Sequence, residues 1–270
     1  MPFLRGATVS ESFAGLEALE PFIDQGLVSE VLFQVKSGKE AVVWCCRGGT
    51  AALASGGTAA LASGGTACDR PLLAAKVYRP LERRLFRRDA DYFEGRVILG
   101  GRNRRAFAAK TDHGRAVQMG YWTAGEWEAL TSLHAAGTDV PEPIARSNGA
   151  MLMEYLGDDD GPAPQLVHVR LGGPEAQEAY ERVLWNVERF LEQDRVHGDL
   201  SAHNVLWWEG RVRVIDFPQS VDARMSPRAR EYLMRDLEHV DCYFRSCGVR
   251  VRGEEFGEAV WRRFEMGEIG

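Results

Sequence analysis

Phe13, Leu16, Leu19, Phe22 and Ile23 recur at helical spacing and predict a helix over residues 10–25, with Ser10 or Ser12 as its cap and Gly26 as its stop. Val31–Lys36 and Ala41–Arg47 read as strands joined by the polar turn Ser37-Gly38-Lys39-Glu40, and Pro71–Tyr78 reads as a third. Trp122, Glu126, Leu130 and Leu133 mark one side of a helix, which Val140-Pro-Glu-Pro-Ile144 breaks. Ala150–Leu156 is an apolar strand. Ala179, Val183, Leu184, Val187, Phe190 and Leu191 make Glu175–Gln193 an amphipathic helix, and Met225–Arg245 and Glu254–Phe264 give two more. Between them, Val196–Phe217 reads as a loop followed by two short strands that meet at Glu209-Gly210.

That last stretch carries the chemistry. His197-Gly-Asp-Leu-Ser-Ala-His-Asn204 followed by a strand and Ile215-Asp216 has the spacing of a kinase-like catalytic half-site. Asp199 would orient or deprotonate an attacking hydroxyl. Asn204 would hold a metal ion, and Asp216 would bridge metal and phosphates. Leu206 is placed to form a floor under an adenine. Each residue alone is an ordinary turn former or cap, and the spacing is what sets them apart. Lys76 lies inside an apolar run, where an unpaired ammonium is costly, so it calls for anionic partners: a carboxylate and nucleotide phosphates. Glu126 is the candidate carboxylate, whereas Glu128 falls on the solvent side of the same helix. Ser37 and Lys39 could lay a hydroxyl, backbone amides and an ammonium over phosphates, though on the residues alone a plain hairpin turn is the favoured account. In a kinase-like architecture Glu154 and Leu156 would offer backbone to adenine, with Met153 behind.

Composition narrows the class. The 270 residues are 45% hydrophobic and 27% charged, with a net charge of −6, an ordinary globular balance that argues against a general nucleic-acid binder. Residues 81–118 depart from it, with nine Arg and one Lys against five acidic residues. They read as a solvated loop, or as a contact for RNA or another acidic partner. The basic residues are 29 Arg and four Lys. No run approaches the length of a membrane span, and no signal peptide is evident, which points to the cytoplasm. Cys45, Cys46, Cys68, Cys242 and Cys247 show no paired metal spacing and read as reduced thiols. The octapeptide Gly-Gly-Thr-Ala-Ala-Leu-Ala-Ser stands at 48–55, repeats at 56–63 and begins again at 64–67. It reads as a duplicated flexible linker within one loop.

With these pieces placed, the chain resembles the RIO-type atypical kinases, and more closely their first subfamily than the winged-helix one. The resemblance spans roughly residues 20–250. It rests on Gln25-Gly-Leu-Val-Ser-Glu, Ser37-Gly-Lys-Glu-Ala, Ala74-Ala-Lys-Val-Tyr, Val140-Pro-Glu-Pro-Ile, Gly161-Pro-Ala-Pro, His197-Gly-Asp-Leu-Ser, Val214-Ile-Asp-Phe-Pro-Gln and Arg235-Asp-Leu. It implies an α+β, two-lobed protein-kinase-like fold: an antiparallel-sheet N-lobe over residues 31–153, a reduced helical C-lobe over 154–270, and a helical extension over 1–30. It further implies binding of ATP with Mg²⁺, or Mn²⁺. Ser37 and Lys39 would cover the phosphates, Lys76 would pair with Glu126, and Val43, Ala74, Met153, Glu154, Leu156 and Leu206 would surround the nucleotide. Asp199 would be the catalytic Asp, with Asn204 and Asp216 on the metal. The family phosphorylates itself or serine-containing proteins, or cycles ATP through a phospho-aspartate at the position of Asp216, and it serves small-ribosomal-subunit maturation.

The residues support one family property directly. Only 54 residues follow Asp216, and none of them forms an Ala-Pro-Glu segment, so the activation segment and peptide-binding helices of conventional kinases are expected to be missing. Two departures bear on turnover. The family's Ser-Thr-Gly-Lys is Ser37-Gly-Lys here, and its Glu-aromatic pair before the Asn is Ala202-His203. A small-molecule phosphotransferase resembling the aminoglycoside kinases shares the catalytic spacing, but only 39 residues separate Gly157 from His197, too few for its substrate lobe. A nucleotide-gated assembly factor with slow turnover is the remaining alternative.

Overall fold

The computed structural model describes residues 16–54, 71–79 and 112–270, with backbone alone for 53–54 and 112–122. The expectations for Ser10, Ser12, Cys68, the later copies of the repeat and the basic stretch as far as residue 111 lie outside the described residues. Two compact units result. Glu142–Pro162 group with the first part of the chain, and Glu128–Pro141 group with Ala163–Gly270.

The first unit is built on an antiparallel five-stranded sheet of β1 (Val28–Ser37), β2 (Ala41–Gly48), β3 (Leu72–Tyr78), β4 (Pro143–Ser147) and β5 (Ala150–Glu154), in the order β1-β2-β3-β5-β4. Alternation sorts its side chains between two faces. Val42, Trp44, Cys46, Leu73, Ala75, Val77, Ala150 and Leu152 pack with Leu19 and Phe22 into one core. Val43, Cys45, Ala74, Lys76 and Met153 take the alternate positions. Leu16–Leu19 is a 3₁₀ turn and Glu20–Asp24 a short α1, so the described part of the expected N-terminal helix is broken in two. Pro21 explains the restart, because it brings no N–H and is tolerated only in a first turn.

The first copy of the octapeptide differs from a flexible linker. Its Gly48 ends β2, and Thr50–Ala54 form α2. Gly49 donates its amide to Leu27 O at 2.8 Å. A Cβ on Gly49 would lie 2.0 Å from Gly26 O, so no other residue could approach so closely. α3 runs Asp112–Ala135, starting ten residues before the expected Trp122; the segment 112–121 is too polar to show a helical stripe. β4 was hidden by Pro141 and Pro143. It is the edge strand of the sheet, the position at which proline is tolerated. The two-residue strands β6 (Gly157–Asp158) and β7 (Gly161–Pro162) close this unit.

The second unit is helical. A 3₁₀ turn over Leu166–His168 precedes α4 (Gly173–Glu192); α5 (Ala229–Ser246) and α6 (Gly253–Glu265) follow later in the chain. Tyr180 on α4 donates to Asp241 Oδ1 on α5 at 2.7 Å, and Asp241 Oδ2 accepts the Gly253 amide at the start of α6 at 2.9 Å. One buried carboxylate thus ties the three helices together. α5 starts four residues later than the spacing of Met225 suggests. Pro227 blocks the earlier turn, and Asp222 Oδ1 caps the Arg224 and Met225 amides at 2.9 and 3.0 Å instead. β8 (Arg195–Val196) pairs with β11 (Val221–Asp222), fixing both ends of the 197–220 loop. Inside that loop, β9 (Val205–Trp208) and β10 (Arg211–Val214) form the expected hairpin, with Glu209 and Gly210 at positive φ in its turn.

Candidate active site

In the first unit Lys76 sits mid-strand on β3, paired across the sheet with Val43 on β2 and Met151 on β5. It is 7% exposed, and Glu126 on α3 is 2% exposed. Their Nζ and Oε1 atoms lie 2.6 Å apart, a charge-assisted hydrogen bond in a site nearly closed to water. The second carboxylate oxygen of Glu126 accepts the Tyr78 hydroxyl, also at 2.6 Å. Sequence spacing singled out Lys76 and Glu126 but missed Tyr78, whose two-residue offset from Lys76 put it on the same face of the strand. Glu128 is exposed.

On the same side of the sheet, Val43, Ala74 and Met153 pack with Cys45 and Tyr155, an apolar surface of the kind a planar ring system takes. Glu154 gives its amide to Glu142 O, just before β4, at 2.9 Å, so that N–H is already spent and its backbone has only the carbonyl to offer an adenine. Leu156 is buried just beyond the strand. Ser37 and Lys39 are exposed at the β1–β2 turn. The Ser37 hydroxyl accepts Arg79 Nη2 at 2.7 Å, and Arg79 Nε donates to Gly38 O at 2.9 Å. Arg79, which spacing did not reveal, is what shapes this turn. Burial pushes the Cys45 and Cys46 thiols up to about 12, which makes them packing groups rather than nucleophiles.

In the second unit the loop is held by its backbone. Gly198 adopts φ +78°, and a Cβ there would lie 2.4 Å from Gln219 O. Its amide donates to Asp236 Oδ2 at 2.7 Å, and its carbonyl accepts the Arg235 guanidinium. His197 approaches Ile215 O through Nε2 at 3.1 Å, while its Nδ1 accepts the Asp199 amide at 3.3 Å. The two bonds together assign the proton to Nε2. The Asp199 carboxylate projects from this frame, exposed, with Gln219 Nε2 3.4 Å from Oδ2. Asn204 donates Nδ2 to Asp199 O at 2.8 Å, which turns its Oδ1 the other way, and the Ile215 amide donates to Asn204 O at 2.9 Å. Asp216 follows at φ +72°, a left-handed conformation that costs a non-glycine residue of order 1–3 kcal/mol and persists only where its surroundings dictate it. The structure therefore brings Asp199, Asn204 and Asp216 together in one loop. Leu206, half-buried on β9, pairs with Arg213 and bridges to Gln165.

Asp236 is the residue of this loop's support that sequence reasoning did not single out, although Arg235-Asp-Leu was among the matching segments. It is 1% exposed, and its Oδ1 has no hydrogen-bond partner. Burial raises its pKa to about 7, outweighing the opposing pull of the Gly198 amide, the Arg235 guanidinium and the Leu200 amide.

Among the described residues no group of three or more His, Cys, Asp or Glu side chains is arranged to hold a metal. The oxygen donors of Asn204 and Asp216 suit a hard cation that takes its other ligands from water and phosphates, the usual habit of Mg²⁺. No described helix is long and apolar enough to cross a membrane.

Comparison with known proteins agrees with this picture. A sequence model of the RIO domain matches residues 67–256. The RIO-type serine/threonine-protein kinase Rio1 of Haloferax volcanii is 33% identical over 247 residues, covering 92% of this chain and 74% of that one. Human serine/threonine-protein kinase RIO1 is 37% identical over 131 residues, 48% of this chain. That match spans 23% of the human protein, and the bovine RIO3 match spans 26% of its relative. Among solved structures, the Rio2 kinase of Chaetomium thermophilum superposes with a TM-score of 0.61 at 18% identity, covering 92% of this chain and 69% of that chain. Rio2 in its ADP/Mg²⁺–phosphoaspartate complex gives 0.56 at 17% identity, covering 97% and 81%. The fold is the α+β protein-kinase-like fold.

Proposed function

The chain belongs to the RIO-domain family and is an atypical serine/threonine kinase; from that premise we propose that it transfers the γ-phosphoryl group of ATP, with Mg²⁺, to a serine or threonine hydroxyl or to its own Asp216. The observation that carries the reading is the loop of the second unit: Asp199 exposed on a frame of buried bonds, with Asn204 and Asp216 tied to each other through adjacent backbone.

In this reading Lys76, oriented by Glu126, meets the nucleotide's phosphates, and Val43, Ala74, Met153 and Leu156 are the first unit's contacts to its base; Leu206 is the adenine-contact residue proposed for the second unit. Ser37 and Lys39 cover the phosphates from a turn that Arg79 holds. Bound at Asn204 Oδ1 and the Asp216 carboxylate, Mg²⁺ would supply charge neutralisation at the phosphates. Asp199 accepts the proton of the acceptor hydroxyl as that oxygen bonds to the γ-phosphorus and the bond to the ADP oxygen breaks. Gln219 steadies the Asp199 carboxylate. His197, accepting the Asp199 amide at Nδ1, keeps that amide oriented.

The span between β5 and the loop holds a short hairpin, one 3₁₀ turn and α4, which leaves no room for a small-molecule substrate lobe. That span supports a protein acceptor, or the chain itself, over a small molecule. Asp216 is the proposed acceptor of an ATPase cycle, a reading that the phosphoaspartate in the Rio2 complex supports by analogy. A ribosomal partner, met through the basic stretch 81–118 in the cytoplasm, is the proposed setting.

Incubating the protein with Mg²⁺ and γ-labelled ATP, beside Asp199→Ala and Asp216→Asn, tests the reading. Hydroxylamine-stable label lost in both variants identifies Ser/Thr phosphorylation. Hydroxylamine-labile label that needs Asp216, with phosphate release, identifies the aspartyl-phosphate cycle. ATP binding without label or phosphate release in the wild type would overturn phosphoryl transfer.

A further inference from the structure

Asp139 lies between α3 and β4, far in sequence from the catalytic loop, and every polar group it owns is committed. Arg182 on α4 grips its carboxylate with both arms of the guanidinium, Nε to Oδ2 at 2.5 Å and Nη2 to Oδ1 at 2.9 Å. Asn186, one helical turn on and 0% exposed, donates Nδ2 to Asp139 Oδ2 at 2.7 Å and accepts the Asp139 amide on Oδ1 at 2.8 Å. The same Nδ2 also reaches Arg182 O at 2.9 Å, closing the ring. Arg182 is itself braced, its guanidinium 3.8 Å from the Trp185 ring centroid.

What remains is the Asp139 carbonyl, and it accepts the Val214 amide at 2.7 Å. Val214 is the last residue of β10 and its backbone leads directly to Asp216. The next amide, Ile215, donates to Asn204 O, and the residue after that is the left-handed Asp216. A backbone kept in a sparsely populated conformation needs neighbours that over-determine it. Asp139 supplies such a neighbour from outside the loop.

We propose that the Asp139–Arg182–Asn186 clamp is a positioning device for the metal ligands: by fixing the end of β10 it sets the geometry of Asp216 and Asn204. The clamp touches neither substrate nor metal. It acts through the Val214 amide, as outer partners of ligating carboxylates do. Bidentate geometry is central, since an ammonium at position 182 would keep the charge but lose the fork that fixes the rotation of the carboxylate. This inference rests on the assignment of Asn204 and Asp216 as metal ligands.

The experiment compares the full chain with Arg182→Lys and Arg182→Gln, chosen because Arg182 is half-exposed and its loss leaves Asn186 in place. Two quantities are read: the Mg²⁺ concentration for half-maximal phosphoryl transfer at saturating ATP, and amide hydrogen exchange in a peptide spanning 211–218, with α6 as the internal reference. In both variants the Mg²⁺ requirement rises, by about tenfold for Arg182→Gln, the low end of the effect of outer-shell substitutions. Exchange at 214–216 accelerates while α6 is unchanged. A lowered melting temperature with an unaltered Mg²⁺ requirement and uniform exchange would overturn the proposal and leave the clamp a purely structural bond. If the wild type transfers no phosphate, the proposed function fails on its own; the exchange measurement still decides whether the clamp holds the end of β10.

Discussion

The Lys76 site and the Asp199 loop place charged groups by opposite means. On the sheet, two buried ions satisfy each other, and Tyr78 takes the remaining carboxylate oxygen. In the loop, the carboxylate that would do chemistry stays exposed, and burial falls on its supports: His197, the Gly198 amide and Asp236. A buried pair is rigid but fails when either member is removed. An exposed carboxylate on a buried frame is dispensable for folding and available to a reactant. Stability and activity should therefore separate cleanly at Asp199, and not at its buried frame or at Lys76 and Glu126.

Glu126→Ala tests the first half of that comparison most severely. It leaves the Lys76 ammonium buried without its carboxylate, and removing one partner of a buried pair costs about 3–5 kcal/mol. Chemical denaturation should show that loss, and Glu126→Ala with Lys76→Met should recover part of it. If the double variant were no better than the single, the pair would not be coupled.

Gly198→Ala attacks the frame of the second region. The new Cβ meets Gln219 O at a left-handed φ, so about 3 kcal/mol of stability should be lost together with activity. Gly210→Ala, also at positive φ but with open space around its Cβ, is the control and should cost less.

Asp236 gives the comparison a pH axis. Its folded pKa is raised, so the stability it confers as a neutral acid is fully present below the ordinary carboxylate range and is lost as pH rises toward about 7. Asp236→Asn should flatten that loss, and the melting temperature of the variant relative to wild type should climb between pH 5 and pH 8. A constant difference across that range would contradict the raised pKa. At the small end, Arg230→Ala removes an exposed ion pair with Glu258, and its melting temperature should match wild type within error.

How much of this was legible in the sequence follows the same division. Strands with two-residue alternation and helices with an unbroken apolar stripe were visible, as was the Asp199–Asn204–Asp216 spacing, because each signal is local. β4 and the first turns of α3 were not, since prolines at an edge and a polar helical start erase the periodicity. Tyr78, Arg79, Asp139 and Asp236 stayed hidden for another reason. Each acts on a partner distant in sequence, Asp236 on Gly198 at the near end and Asp139 on Val214 at the far end, and nothing in spacing reports such a bond. Gln219 and Arg235 stood within segments that matched the family, yet only the fold shows what they touch.

The central claim is that Asp199 does chemistry and does not hold the fold. The most direct measurement is the single-turnover rate of γ-phosphoryl transfer in Asp199→Asn against wild type, at saturating ATP and Mg²⁺, with melting temperature and ATP affinity measured on the same samples. The account predicts a rate lower by about 10³-fold, within the range for loss of a positioned general base, at unchanged melting temperature and ATP affinity. A variant that transfers phosphate at the wild-type rate would contradict it.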